Sequence, residues 1–459
     1  MYPTDSDVLV LPSSPAPFGF GQHPKFERSF RKHLKHFSFG KETSLSQLAN
    51  PRHPEVFIIS RDRFLYVVDE WGDAIGFERT ILHFSSTDFY VDRDTEGGLF
   101  YELDHAEPFY RLGGISQLGY LVPPRPEEWD KNVNVLYTVP QFSHTRWSHS
   151  LIVAILMEIS LARNGFSQRE RVPMVLTAGC HDIATPAGGD SIKRVDPKNL
   201  HEEESFAWVL LRYGLAQRWA EKFGFDLSLA QDWVKGKGTF GRLLDVLDKI
   251  AYTSLDCYYL GAMRQGKIQK LGLKYPLIID VWQDIRLTSD KTDIFFTCPE
   301  RLYRFLLLRA FEHQELLFNP YSRALDLFLK KLVQPLYRKG IITKEQLLTH
   351  DDEWLRQVLT QYYPDVIKCY IEPEELTHRK FDTARERKEY CKKFKVKVDH
   401  AEHLSGFNSG LDWLTQKEGE IMPLRQAISK AKIRLLEEVV TSTRGYYIYY
   451  KRPPVLSEG

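Results

Sequence analysis

Three short words in the middle of the chain carry residue types suited to metal-assisted hydrolysis. They are His144-Thr145-Arg146-Trp147-Ser148-His149-Ser150, Cys180-His181-Asp182, and Asp248-Lys249-x-x-Tyr252-x-x-x-Asp256. Neutral imidazole and carboxylate are the usual ligands of borderline divalent metals. Two His with two Asp form a mixed nitrogen and oxygen set that suits Mn, Fe, Ni or Zn more than Mg, although Mg remains possible chemistry. Arg146 and His149 stand three apart, so on a helix a phosphate-binding guanidinium and a candidate ligand share one face. Asp248, Tyr252 and Asp256 recur at i, i+4 and i+8 beside the apolar stripe Leu244, Leu247 and Ala251, which puts polar groups at the edge of a core. Each word alone is commonplace. An isolated His-Asp pair is usually a capped helix end, a buried pair of histidines is usually core, and Asp-Lys-x-x-Tyr is usually a solvated face. Their weight lies in the combination and the order.

Helices must position these residues. Trp147 to Ala162 is apolar nearly all round, which predicts a helix buried in a bundle. Periodicity predicts further helices at 172–181, 201–215, 241–263, 300–318 and 321–338, and Gly179 with Pro186 brackets a helix stop at His181-Asp182. Ahead of the bundle, between 55 and 140, short β-rich runs alternate with Gly, Asp and Pro signals and predict small antiparallel elements. These runs are Val56–Ile59, Phe64–Val68, Phe89–Val91 and Val133–Tyr137. Beyond about 345 the chain shows two more helical segments and strand-like runs at Phe394–Val398 and Tyr446–Tyr450. The prolines at 3, 12, 15, 17 and 24 predict a mobile tail. A basic stretch follows in which Phe26, Phe30, Leu34 and Phe37 recur at helical spacing; it reads as a short docking helix or, alternatively, as a partner- or anion-binding arm. The expected division is therefore a tail over 1–50, a core over 51–345 and an α+β module over 346–459.

At 459 residues, with 43% hydrophobic, 27% charged and 13% aromatic residues, the chain can build more than one core. A formal charge of +1 indicates neither a nucleic-acid nor a membrane partner, so an anionic ligand must be met by a local cluster. Five scattered cysteines without CxxC spacing suggest neither a disulfide framework nor a zinc ribbon, and point to a reducing compartment. The most apolar run, Leu151 to Met157, is cut by Glu158, well short of the roughly 20 residues that span a bilayer. A soluble, cytoplasmic protein is expected.

In their order, the words resemble the HD superfamily of phosphohydrolases, and in detail its deoxynucleoside triphosphate triphosphohydrolase branch. Phe109-Tyr-Arg111-Leu-x-x-Ile-x-Gln117-Leu118-Gly119 before the first word, and Arg309-Ala-Phe311-x-His313 after the last, also look like words of that family. The resemblance covers roughly 69 to 318. It implies a mainly α fold, an HD-domain helical bundle with small β elements before it and a small α+β module after it. It implies that His149, His181, Asp182 and Asp248 hold a divalent metal, and that Arg146, Lys249 and Tyr252 meet phosphates. Gln117 and Asp256 would bind the sugar 3′-hydroxyl, with Leu118 beside them in the same word, and Phe311 would lie beside the nucleoside. His201, opening His201-Glu-Glu-Glu-Ser205, would protonate the leaving oxygen. A nucleotide substrate and a homo-oligomer are implied as partners.

Two departures bear on substrate. After His181-Asp182 the family has a histidine-bearing segment that serves the α-phosphate, whereas this chain reads Ile183-Ala-Thr185-Pro-Ala-Gly-Gly-Asp190, with Lys193 and Arg194 as candidate substitutes. The family's basic residue for the distal phosphate falls near Tyr303, flanked by Arg301 and Arg304. The leading expectation is hydrolysis of a (d)NTP to nucleoside and tripolyphosphate through metal-activated water. The alternatives are a nucleotide monophosphatase or phosphodiesterase with the same metal, and a non-catalytic nucleotide sensor.

Overall fold

The computed structural model describes residues 64–68, 74–78, 102–103, 106–117, 145–263, 280–318, 320–364, 376–394 and 400–451. The tail, the basic stretch after it, the β-rich runs at 56–59, 89–91 and 133–137, and the residues His144 and Leu118 lie outside these. The fold is mainly helical with small sheets, and the chain forms two compact units, each drawn from separated stretches.

In the first unit the expected strand β1 (Phe64–Val68) pairs antiparallel with β2 (Ala74–Glu78), which was not among the expected runs, with Phe64 opposite Glu78. A short helix, Glu107–Arg111, precedes the bundle. The bundle comprises α1 (Arg146–Arg163), α2 (Gln168–Cys180), α3 (Glu202–Arg212), α4 (Leu215–Phe223), α5 (Leu227–Val234) and α6 (Gly238–Met263). Helix α1 packs along α2 on one side and α6 on another. Burial of Ile152, Val153, Leu156 and Leu161 on α1 against Val175 and Leu176 of α2 and Leu243, Leu247, Ile250 and Leu255 of α6 follows from their apolar faces. At roughly 25 cal/mol per Å² of apolar surface, such side chains each contribute about 1.5–3 kcal/mol. Strands β3 (Ile285–Leu287) and β4 (Ile294–Phe296) form a hairpin.

Glu158, which interrupts the apolar run of α1, is fully buried. Arg171 of α2 donates to both of its carboxylate oxygens at 3.0 Å and to the Phe166 carbonyl at 2.6 Å. A buried charge is tolerable only when so paired.

Helix α2 ends at Cys180 with His181 as its C-cap, where the bracket of Gly179 and Pro186 predicts a stop, and Gly179 itself lies one residue inside that end. It allows close approach: a Cβ there would stand 2.9 Å from Leu103 Cδ1 and 3.4 Å from Ala154 Cβ of α1. Gly179→Ala should therefore cost about 1–3 kcal/mol by overpacking next to the candidate ligands. Thermal unfolding reads this, and an unchanged midpoint would show that Leu103 yields without strain.

Helix α7 (Pro299–Glu312) carries the chain from Leu302 onward into the second unit. The helix expected over 300–318 is α-helical only to Glu312, and His313–Leu317 form a π-helical turn. Next come α8 (Pro320–Arg338), α9 (Lys344–Thr349) and α10 (Asp352–Tyr362). The second unit thus takes in 302–345 as well as the C-terminal module. One buried cluster joins Leu329, Leu332, Val333 and Leu336 of α8 to Leu347, Leu355 and Leu359, and to Ala187 and Ile192 from the 185–201 stretch.

The module itself consists of β5 (Leu376–Phe381), α11 (Ala384–Phe394), β6 (His400–Leu404), a hairpin of β7 (Leu414–Lys417) and β8 (Glu420–Pro423), α12 (Lys430–Ser442) and β9 (Gly445–Lys451). The strand at Tyr446–Tyr450 is present, central in an antiparallel sheet ordered β5-β9-β6. Phe394, expected to open a strand, instead closes α11: Tyr390 and Phe394 stand one turn apart with ring centroids 4.6 Å apart, a pairing that helical spacing supplies.

Candidate metal centre

Three helices of the first unit deliver three ligand atoms to one point. His149 lies in the first turn of α1, His181 just past the end of α2, and Asp248 in the middle of α6. Their ligand atoms all lie within 4.8 Å of one another. His149 Nε2 is 3.2 Å from His181 Nε2 and 2.8 Å from Asp248 Oδ1, and His181 Nε2 is 3.4 Å from that same oxygen. Ligands about 2.1 Å from a shared ion stand about 3.0 Å apart in cis octahedral geometry and about 3.4 Å apart in a tetrahedron. The observed separations fit such an ion. The donor chemistry, two imidazoles and a carboxylate, fits a divalent transition metal equally well.

Asp182 stands one step outside this trio. Its Oδ2 is 3.7 Å from each Nε2 and accepts a 2.8 Å hydrogen bond from Arg146 Nη1. Arg146 and Asp182 are both buried, so this pair fixes the carboxylate in position.

The supporting contacts were not assigned from sequence. His181 Nδ1 is 2.7 Å from the Ala178 carbonyl, which keeps a proton on Nδ1, so that once Nε2 gives up its own proton the Nε2 lone pair faces the centre. Arg111, at the end of Glu107–Arg111, donates to the Ile183 carbonyl at 3.0 Å and braces the turn that carries His181 and Asp182. The word containing Arg111 was recognisable, but only the fold shows what the residue touches.

Burial is the largest influence on His149, and it holds this fully enclosed imidazole below its usual range. Burial pulls His181 down as well, yet the carboxylates of Asp182 and Asp248 outweigh it and push the imidazole up to about 9. For Asp248 burial opposes charge, but hydrogen bonds from both imidazoles overcome it and hold the carboxyl well below the usual carboxylate range. Asp248 keeps 31% of its side chain exposed, so solvent reaches the centre from that side. Without metal the trio is a carboxylate and two imidazoles sharing a proton.

The other expected site residues are placed as follows. Lys249 is partly buried and ion-paired with Asp245 one turn earlier on α6. Tyr252 is half-buried and Asp256 buried on the same helix. Gln117 (buried), His201 and Phe311 (both half-buried) belong to the second unit, whose stretches also include Thr185 to Lys193. There Thr185 is buried, Lys193 pairs with Asp190 at 2.6 Å, and Gly188, at φ 85, donates its N–H to Asp352 Oδ1 at 2.7 Å. Lys193 therefore offsets the charge of Asp190 locally. Of the residues near the expected distal-phosphate position, Arg301 is bound to Asp284 at 2.8 Å, and Tyr303 is buried under Lys432, 5.2 Å from its ring.

No protein-family model and no curated protein matches the sequence. Solved structures do share the fold. A phosphohydrolase from Bacteroides thetaiotaomicron superposes with a TM-score of 0.56 at 16% identity, covering 78% of this chain and 96% of that one. A hypothetical protein from Aquifex aeolicus superposes with a TM-score of 0.58 at 14% identity, covering 84% of this chain and 96% of the other. The chain thus has the fold of a solved phosphohydrolase, and within that fold it carries a His-His-Asp cluster able to hold a metal ion. Among the described residues no helix is long and apolar enough to cross a membrane.

Proposed function

We propose that the chain is a metal-dependent phosphohydrolase of the HD type acting on nucleotides, which hydrolyses a nucleoside triphosphate to nucleoside and tripolyphosphate. The observation that carries this reading is the convergence of His149 Nε2, His181 Nε2 and Asp248 Oδ1 on one point in a fold shared with a phosphohydrolase. A divalent transition metal held there, with Asp182 as a further ligand, supplies Lewis-acid activation of water when bound. The chain's own residues do the rest. Arg146, beside Asp182, and Lys249, next to Asp248, offset phosphate charge, and the buried Asp256 accepts a hydrogen bond from the sugar hydroxyl. The resemblance assigns Tyr252 to the phosphate, and it assigns Gln117 to the sugar, Phe311 to the nucleoside and His201 to protonation of the leaving oxygen.

A second reading, a nucleotide monophosphatase or phosphodiesterase, draws on the Ile183–Asp190 segment, which offers the buried Thr185 and a neutralised Asp190 in place of histidines. One experiment separates the two: Mn-loaded protein is incubated with a nucleotide panel in isotopically labelled water. The expected products are nucleoside and intact tripolyphosphate, with the label in the tripolyphosphate. Reaction of monophosphates or phosphodiesters alone would transfer the assignment to the second reading, and orthophosphate with a nucleoside diphosphate would overturn attack at the α-phosphorus.

A further inference from the structure

The C-terminal module concentrates charge in a chain that is almost neutral overall. From Leu376 to Phe394, β5 and α11 hold seven Arg and Lys against three Asp and Glu, while the whole chain carries +1. Helix α11 buries no residue at all, although it packs on β5 and β9. A helix so exposed gains little from burial, and clustering cations on it costs self-repulsion.

The acids do not neutralise this surface. Glu389 is tied to Arg385 at 2.7 Å, and Glu386 accepts from the backbone N–H groups of Asp382 and Thr383 at 3.2 and 3.3 Å as part of the helix cap. Lys388, Lys392 and Lys393 are exposed, and among the described residues none of the three pairs with a carboxylate. Lys388 and Lys392 are one turn apart and so share a face.

Next to these cations runs a ladder of rings. Phe381 and Tyr390 have centroids 5.3 Å apart, and Tyr390 and Phe394 4.6 Å apart, with the Arg379 guanidinium 4.3 Å from the Tyr390 ring centre. The ladder ends at Phe394, which is 55% exposed beside Lys393, whose ammonium is 5.3 Å from the ring centre. An exposed aromatic face set among unneutralised lysines matches a chain of phosphates that carries unpaired, stackable bases. Paired bases offer no such face to Phe394. An anionic membrane fits poorly, because it rewards a helix with a broad apolar side, and α11 has no Leu, Ile, Val or Trp.

From this juxtaposition of Lys388, Lys392 and Lys393 with the open ring of Phe394 we propose that α11 is a docking surface for single-stranded nucleic acid. It is independent of the reaction proposed above.

The test is fluorescence anisotropy of the full chain with a labelled oligothymidylate of about 20 nucleotides, the duplex of the same length, anionic phospholipid vesicles and polyglutamate, each over a salt series. The single strand should bind best. Lys388→Glu combined with Lys392→Glu and Lys393→Glu should weaken it at least about tenfold at low salt, and should flatten the log-log salt slope by about 2, at roughly 0.7 per lost cation. Phe394→Ala should weaken it with an unchanged slope, since a stacking contact releases no counterion. All four positions are exposed, and an unaltered unfolding midpoint confirms that the variants fold. Absent binding, an affinity unaffected by the triple reversal, or preference for duplex, vesicles or polyglutamate would each overturn the proposal.

Discussion

Replacing His181 by Ala is expected to strip the protein of bound metal and of hydrolase activity together. The residue contributes one of the two imidazole nitrogens that stand 3.2 Å apart, and a carboxylate with a single imidazole is a poor site for a transition metal. Water activated by a metal shifts in pKa from 15.7 to roughly 7, so activity should fall by at least about three orders of magnitude. Metal content by elemental analysis and turnover are measured on the same sample. Full occupancy in His181→Ala would sink the assignment of the centre, whatever the activity.

The protonation of the trio adds a pH dependence with a definite sign. His149 is already neutral near pH 7, because burial holds it low, whereas His181 keeps its proton until about pH 9. A metal must displace that proton, so affinity should strengthen as pH rises from 6 towards 9 and level off above it. At pH 7.5 binding should release about one proton, shared by the coupled imidazoles, which calorimetry in buffers of different ionisation enthalpy would read. Affinity that does not vary over this range would mean that the ion sits elsewhere.

The helices that build the centre were legible because each satisfies the same condition twice. Trp147 to Ala162 is apolar all round, and α1 is buried; Leu244, Leu247 and Ala251 form a stripe on α6 and are buried, with Asp248 beside them. The convergence of His149, His181 and Asp248 could be expected only through the resemblance, since no periodicity relates residues on three helices. Local pattern was also silent on α11. That helix has no apolar face to detect, and its ends are set by the cap at Thr383 and Glu386 and by the ring contacts of Tyr390, while the β-rich run expected from Phe394 onward meets it only at Phe394, its residues 395–398 lying outside the described ones. The π-helical turn at His313–Leu317 was hidden for a similar reason: His313 is buried against Phe407, their ring centroids 4.1 Å apart, across a separation in sequence that no short window spans.

Glu158 shows the limits of a polarity pattern most clearly, since in the sequence it only breaks an apolar run. In the fold it is enclosed between α1 and α2 with Arg171 as its partner. Arg171→Ala should destabilise the first unit by about 3–5 kcal/mol, because it leaves a carboxylate without its counter-charge in a place that water does not reach. At this size the loss corresponds to a fall of roughly 10 °C in unfolding midpoint. The pair replaced as a whole, Glu158→Leu with Arg171→Met, should recover much of that loss, because apolar side chains of similar volume carry no desolvation cost. Calorimetric scans of Glu158→Leu, of Arg171→Met and of the double variant give the coupling directly. If the double variant is as unstable as the sum of the single ones, the two residues act independently and the ion pair is not what holds α1 to α2.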